Sequence, residues 1–363
     1  MFKQLVINPG STSTKVALFE DSEAVASKSL AMSSEALAKY PNIFDQLEMR
    51  LEQVRAFLSE AQTEPESLHA VVGRGGVLPP SEGGVYEVDD EMIERLRVTG
   101  GGHASSLGGV LAREVAGPVG IPAFIADPVT TDELDEVSRY TGLPEAPRVC
   151  IFHALNQKAV ARRAASDLGE AYENINLIVV HLGGGISVGA HRRGRVVEVA
   201  NALSGEGTFS PERSGGLPVT GLVKLCFSGQ YSQAQIAKLI NGKGGLVAYL
   251  GTNSLKDVDA AIAEGDDKAR LCLEAMAYQV AKDVGRSACA LAGDVEAIVL
   301  TGGGAHSARL VGLITDRVRF IAPVLVYPGE EEMKALAEAG LRVLSGAEKA
   351  KRMFTRPDSG KPA

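Results

Sequence analysis

The chain has 363 residues, a formal net charge of -8, 45% apolar residues and 23% charged residues. That length exceeds what one hydrophobic core usually serves, which predicts two domains. The acidic balance excludes charge-driven binding to nucleic acid, and no apolar run reaches the roughly 20 residues that span a bilayer. Met1-Phe2-Lys3 leads into an apolar strand with no signal-peptide pattern, so the expected location is cytoplasmic, with neither nucleic acid nor membrane as partner.

Short apolar runs alternate with helical periodicity, which predicts an α/β fold. Strands are expected at 4–7, 15–20, 69–73, 121–126, 176–182, 186–191, 195–199, 295–300 and 321–326. Helices are expected at 43–61, 106–117, 154–168, 267–291, 306–319 and 331–350. The first strand runs through Asn8-Pro9-Gly10-Ser11-Thr12-Ser13-Thr14 into a second, a turn whose backbone N–H groups and hydroxyls suit phosphate oxygens. Asn8, Ser11 and Ser13 are candidate donors there and Lys15 a candidate cation. The bland alternative is a hairpin whose hydroxyls bond their own backbone.

Farther along, Arg74 in Val72-Gly73-Arg74-Gly75-Gly76 offers a guanidinium fork to a carboxylate or phosphoryl group. The alternative is a surface arginine. Asp127 ends a strand, and Leu143-Pro144-Glu145-Ala146-Pro147 breaks the pattern before the strand-like Val149-Cys150-Ile151. A second hairpin follows, Leu177 to Val180 running through His181-Leu182-Gly183-Gly184-Gly185-Ile186-Ser187. It opens a strand instead of a helix, which argues against a dinucleotide fingerprint, and no GxxxxGK[ST] exists. Its likeness to the first hairpin suggests two related domains. A third turn, Thr301-Gly302-Gly303-Gly304-Ala305-His306, follows a strand, and its missing Cβ atoms suit a flat group such as adenosine.

Glu330-Glu331-Glu332 opens the final helix, where carboxylates also complement the helix dipole. The polar, proline-punctuated tail from Thr355 is expected to fray. Cys150, Cys226, Cys272 and Cys289 have neither zinc nor disulfide spacing and read as buried free thiols.

The three turns together resemble the acetate and butyrate kinase family, within the superfamily of sugar kinases, actin and Hsp70-type ATPases. Residues 8–15 look like its first phosphate motif, 181–187 its second and 301–305 its adenosine motif. The resemblance implies two ribonuclease H-like (actin-like ATPase) domains with a central cleft closing over ATP. The implied domains are 1–148 plus 332–363 on the acyl-substrate side, with the last helix crossing back, and 149–331 for the nucleotide.

Carried over by position, the catalytic residues are Arg74, Asp127, His153 and Arg213, and the substrate-binding ones Gly73, His103, Phe152 and Pro211. ATP phosphates and adenosine fall to Asn8, Ser11, Ser13, Lys15, His181, Gly183, Gly184, Gly185, Thr301, Gly302, Gly303 and Gly304. Magnesium falls to Asn8, Asp127 and Glu331. His69, His191 and His306 are expected to be structural or exposed.

The implied activity is reversible transfer of the γ-phosphoryl group of ATP to a short-chain carboxylate, with Mg2+ as cofactor and an acyl phosphate as product. Asn8-Pro9-Gly10 and Gly73-Arg74-Gly75-Gly76 look like the butyrate-type and branched-chain members, and Gly73 would leave room for a longer acyl chain. Acetate or propionate is the near rival substrate, a sugar the next. A non-enzymatic nucleotide-dependent binding protein is the alternative of another class. The family also implies a homodimer or higher homo-oligomer.

Overall fold

In a computed structural model, residues 1–40, 42–99 and 102–354 are described. The tail expected to fray, from Thr355 on, lies outside the described residues. The chain divides into two compact units, Met1–Thr131 with Glu331–Ala363, and Asp132–Glu330. The sequence-based boundary after 148 falls later than this one. Residues 132–148 pack within the second unit: Asp135 N donates to Val197 O at 3.0 Å, and Arg148 meets Glu198 at 2.8 Å.

The first unit holds a six-stranded sheet of β1 (Lys3–Pro9), β2 (Ser13–Glu20), β3 (Glu23–Ala31), β4 (Ala70–Arg74), β5 (Val85–Glu87) and β6 (Ala123–Ala126) in the order β3-β2-β1-β4-β6-β5. The second holds β7 (Asn176–Leu182), β8 (Ile186–Arg192), β9 (Arg195–Val199), β10 (Ala297–Gly302) and β11 (Val324–Pro328) in the order β11-β10-β7-β8-β9. Each sheet thus carries an antiparallel three-strand meander whose first strand also pairs in parallel with a later one. This duplicated order is the similarity read in the two hairpins.

Strand alternation sends β-sheet side chains to two faces. In the second unit Ile178, Val180, Ile186, Val188 and Ala190 pack with Met276, Val280 and Ile314 of the Asp267–Ala290 and Ala308–Val318 helices. Leu177 and Val179 face the opposite way, onto Ala161 and Ala164 of the Ala154–Asp167 helix. In the first unit Leu5, Ile7, Val16 and Leu18 pack with Leu51, Val54 and Leu111 of the Leu47–Glu60 and Leu107–Ala116 helices. The Glu332–Leu344 helix lies on its other face, so closely that a Cβ on Gly340 would stand 2.1 Å from Gln4 Oε1.

All nine predicted strands and six predicted helices form, most of them with shifted ends. The pattern missed β3, which is largely exposed on both faces and so shows no alternation. Also missed were β5, the Asp90–Thr99 helix, and the short helices Val219–Cys226, Gln233–Ile240, Gly245–Leu250 and Leu255–Ala263. These last four bury few side chains, and Val219–Cys226 buries none. The buried-thiol expectation holds for Cys150 alone, since Cys226 and Cys289 are exposed and Cys272 is half-buried. Among the described residues no helix is long and apolar enough to cross a membrane.

Candidate functional site

In the first unit the β1–β2 register sets Asn8 opposite Lys15, which puts both side chains on one face of the hairpin. Asn8 is buried, and its Nδ2 donates to Glu332 Oε2 at 2.8 Å. Arg74, at the end of β4, donates from Nη1 to the same carboxylate oxygen at 2.6 Å. Lys15 is exposed and has no ion-pair partner among the described residues. Within the turn Gly10 N donates to Ser13 O at 2.7 Å.

A residue the motif reading passed over holds this turn from beneath. Arg50, fully buried on the Leu47–Glu60 helix, donates to Gly10 O at 3.0 Å, Ser13 O at 3.3 Å and Thr14 Oγ1 at 2.8 Å. Gln46 Oε1 fixes the other side of the guanidinium at 2.8 and 3.1 Å. Burial lowers its pKa to about 10, so the group stays charged at neutral pH beneath the turn.

Asp127 is buried with a left-handed φ of 38°, a strained conformation for an aspartate that precedes a proline. Its Oδ1 accepts from Gly84 N at 2.7 Å. His103 Nδ1 accepts from Ser105 N and lies 2.7 Å from Ser105 Oγ. Burial first, and the nearby Arg74 charge second, hold its pKa below the usual value, so the ring is neutral with its hydrogen on Nε2.

In the second unit His153 caps the Ala154–Asp167 helix and stacks on His181, with ring centroids 3.8 Å apart and planes 10° apart. His153 Nδ1 lies 2.8 Å from Ser187 Oγ. His181 Nδ1 lies 2.7 Å from Asn156 Oδ1, and its Nε2 lies 3.0 Å from Glu330 Oε1. Arg213 lies across the second glycine turn: a Cβ on Gly185 would fall 1.6 Å from its Nη1. Its guanidinium donates to Ala202 O at 2.9 Å and Asn241 Oδ1 at 3.2 Å, and burial lowers its pKa. Gly183 is similarly constrained by His181, whereas Gly184 is exposed, its carbonyl accepting from Ser210 Oγ.

The third turn is less open than its three glycines imply. A Cβ on Gly302, which has a φ of 87°, would lie 2.5 Å from Leu182 O, and one on Gly304 would lie 2.9 Å from Leu182 Cβ. Gly303 alone of the three faces open space. Thr301 is buried and donates from Oγ1 to Gly329 O at 3.2 Å.

One expectation needs correction. Gly73 leaves no room for an acyl chain, because a Cβ there would meet Gly108 O at 2.1 Å: the glycine lets the Leu107–Ala116 helix approach β4. Phe152 is buried with Leu134, Cys150, Val196 and Val199. Pro211 is also buried, its carbonyl accepting from Val247 N at the start of the Gly245–Leu250 helix. In the acidic run, Glu332, the first residue of the final helix, is the carboxylate hydrogen-bonded to Asn8 and Arg74.

Among the described residues no group of three His, Cys, Asp or Glu side chains gathers as a metal cage. The first unit's donors, Asn8 Oδ1 and the carboxylates of Asp127 and Glu332, are all oxygen. That set fits magnesium, which keeps several waters and is usually bound through one or two carboxylates and substrate phosphates.

A model of the acetokinase family matches residues 147–351. Over 352 residues the chain is 54% identical to butyrate kinase 1 and 51% identical to butyrate kinase 2 of Clostridium acetobutylicum, covering 97% of this chain and 99% of each relative. The solved structure of Porphyromonas gingivalis acetate kinase matches with a TM-score of 0.80 at 22% identity, over 95% of this chain and 100% of that one, which shows a common fold. The chain belongs to the acetokinase family.

Proposed function

We propose that the protein reversibly transfers the γ-phosphoryl group of ATP to butyrate, giving butyryl phosphate and ADP. The observation that carries this reading is the near-full-length likeness to two proteins named butyrate kinases. Lys15, which has no ion-pair partner among the described residues, the Arg74 guanidinium and the glycine turns are the chemistry such a reaction needs.

A short carboxylic acid, with a pKa near ~4–5 like those of Asp and Glu, is ionised at neutral pH and needs no general base. One carboxylate oxygen attacks the γ-phosphorus in line, the bond to the β–γ bridging oxygen breaks, and its electron pair leaves with ADP. The obstacle is repulsion between anions, so cations and positioned donors do most of the work. In this reading Arg74 binds the carboxylate, and His103 donates from Nε2 toward the acyl substrate. His153 and Arg213 stabilise the transferring phosphoryl group. Asn8, Ser11, Ser13 and Lys15 hold phosphate oxygens, as do His181 and Gly183 to Gly185, and adenosine lies against Gly303. Asn8, Asp127 and Glu332 would hold magnesium, which when bound neutralises phosphate charge.

The first unit, with the Glu332–Leu344 helix, serves the acyl substrate and the second the nucleotide. The setting is cytoplasmic. The protein self-associates as a homodimer or larger homo-oligomer, a reading supported by the exposed apolar Leu217, Val219, Val223, Leu225 and Phe227.

The test supplies ATP with acids of two to five carbons and traps acyl phosphate with hydroxylamine. Butyrate or isobutyrate should give the highest kcat/KM, and Arg74→Ala should lower it about 10²- to 10³-fold. A maximum at acetate or propionate would overturn the substrate, and no hydroxamate from any acid would overturn the reaction.

A further inference from the structure

We infer that Ser187 and Gln157 are positioning residues that fix the ring of His153 in one orientation and one tautomer, with its hydrogen on Nε2. The consequence for catalysis rests on the phosphoryl-transfer reading above, but the tautomer itself does not.

The inference follows from a buried chain of polar groups on one face of the second unit's sheet. Ser187, Gly189 and His191 alternate along β8 and therefore point to the same side, as does His181, the cross-strand partner of Ser187. Over them lies the Ala154–Asp167 helix, which His153 caps and on whose first turns Gln157 sits. Gln157, Ser187 and His191 are 0%, 1% and 0% exposed, so each polar atom must find its partner within the protein.

The direction of each bond can be worked out from one end. Gln157 Nε2 lies 3.1 Å from the carbonyl oxygen of Ser187, an acceptor only, which fixes the orientation of the amide. Its Oε1 therefore accepts, and the group facing it is His191 Nε2 at 3.0 Å, which must carry a hydrogen. His191 is neutral, because burial and then the charges of Lys158 and Arg162 hold its pKa well below the ordinary value. Its Nδ1 thus accepts from the Tyr172 hydroxyl at 2.8 Å. At the other end Gln157 Nε2 also donates to Ser187 Oγ at 2.8 Å. The serine hydroxyl then has one remaining partner, His153 Nδ1 at 2.8 Å, and donates its hydrogen there. Every donor points the same way, from Tyr172 through His191, Gln157 and Ser187 to His153, an order in which each bond polarises the next.

The backbone is shaped to permit this. A Cβ on Gly189 would stand 2.4 Å from Gln157 Oε1 and 3.2 Å from His191 Nε2, so only glycine leaves space for the central bond of the chain. With Nδ1 occupied as acceptor, the uncharged form of the His153 ring carries its hydrogen on Nε2, aimed in a fixed direction. A developing negative charge on a transferring phosphoryl oxygen calls for such a preorganised donor.

The direct test is 15N NMR of histidine-labelled protein at alkaline pH, with the His153 signals assigned by His153→Gln. Wild type should show a protonated Nε2 and an unprotonated Nδ1. Ser187→Ala should shift the ring toward a mixture of tautomers, and Ser187→Thr, which keeps the hydroxyl, should restore the wild-type pattern. In the hydroxamate assay Ser187→Ala should lower kcat by on the order of 10²-fold with KM values nearly unchanged, and Ser187→Thr should recover most of it. Gln157→Leu should act in the same direction. If it fails to fold, the serine pair, which differs from wild type by one small group, still decides. A wild-type ring protonated on Nδ1, or a Ser187→Ala spectrum identical to wild type, overturns the inference. Because the spectrum needs no turnover, failure of the kinase reading would show separately, as absence of hydroxamate from wild type.

Discussion

The two hairpin turns, Asn8 to Lys15 and His181 to Ser187, look alike in sequence and occupy the same place in sheets of the same strand order, yet they are supported by opposite means. The first is held by a full charge. Arg50 reaches up from the Leu47–Glu60 helix, and its partners are neutral oxygens of the turn itself and of Gln46. The second is held by a relay of side-chain hydrogen bonds on the face covered by the Ala154–Asp167 helix, where imidazoles, an amide and a hydroxyl link in series. A hairpin that presents hydroxyls and backbone N–H groups gains positive potential from a guanidinium beneath it. A hairpin whose histidine must hold one tautomer is better served by neutral, directional partners. In the proposed reading the same scaffold prepares one turn to attract an anion and the other to aim a donor.

Deleting the charge should break this contrast most visibly. Arg50→Met leaves Gly10 O, Thr14 Oγ1 and Gln46 Oε1 without their buried donor, which should cost about 2–4 kcal/mol of stability. Urea unfolding measures it. KM for ATP should rise in the same variant. Arg50→Lys, which keeps a charge but loses the fork, should recover ATP affinity more fully than stability. If Arg50→Met unfolds at the wild-type urea concentration, the turn does not depend on the guanidinium.

A smaller effect comes from making the second hairpin resemble the first at a matched position. The register that sets Asn8 against Lys15 sets Val6 against Ala17, while that of His181 and Ser187 sets Val179 against Gly189. Gly189→Ala therefore installs the residue found in the first hairpin, but it forces Gln157 and His191 apart. The expected cost is about 1–3 kcal/mol, by the same unfolding measurement, together with partial loss of the single His153 tautomer. A variant as stable as wild type with an unchanged His153 spectrum would mean that the gap at Gly189 is not needed.

How much of this was legible in the sequence depends on whether a residue announces itself by its neighbours along the chain or by those across space. The glycine turns, the duplicated meander and Arg74 announce themselves locally, through composition and strand periodicity. Arg50 and Gln157 carried a weaker signal, since each falls on the apolar stripe of its helix: Leu47, Leu51, Val54 and Leu58 in one, Ala154, Ala161 and Ala164 in the other. A polar residue on such a stripe must find partners inside the protein, but the sequence does not say which. Gly73 misled for a related reason. Its missing side chain was read as space, whereas the Gly108 backbone, distant in sequence, fills that volume.

The smallest effect separates the two hairpins by pH. His191 is buried with its pKa well below 6.5, facing Tyr172 and Gln157, with the charges of Lys158 and Arg162 nearby. An imidazole of this kind binds fewer protons in the folded state than in the unfolded one. Its contribution to stability is therefore complete above the unfolded value of about 6.5 and is lost as pH falls below it, by at most ~1.4 kcal/mol per pH unit. Arg50, whose shift lies near 10 and above, stays charged throughout this range and adds no slope. Acidification from pH 7.5 to 5.5 should thus weaken the second hairpin through its imidazole while leaving the first hairpin's support unchanged. Unfolding curves of wild type and His191→Gln across that range should converge toward acid, because the variant has no imidazole to protonate, and curves that stay parallel would show that His191 titrates alike in the folded and unfolded chains.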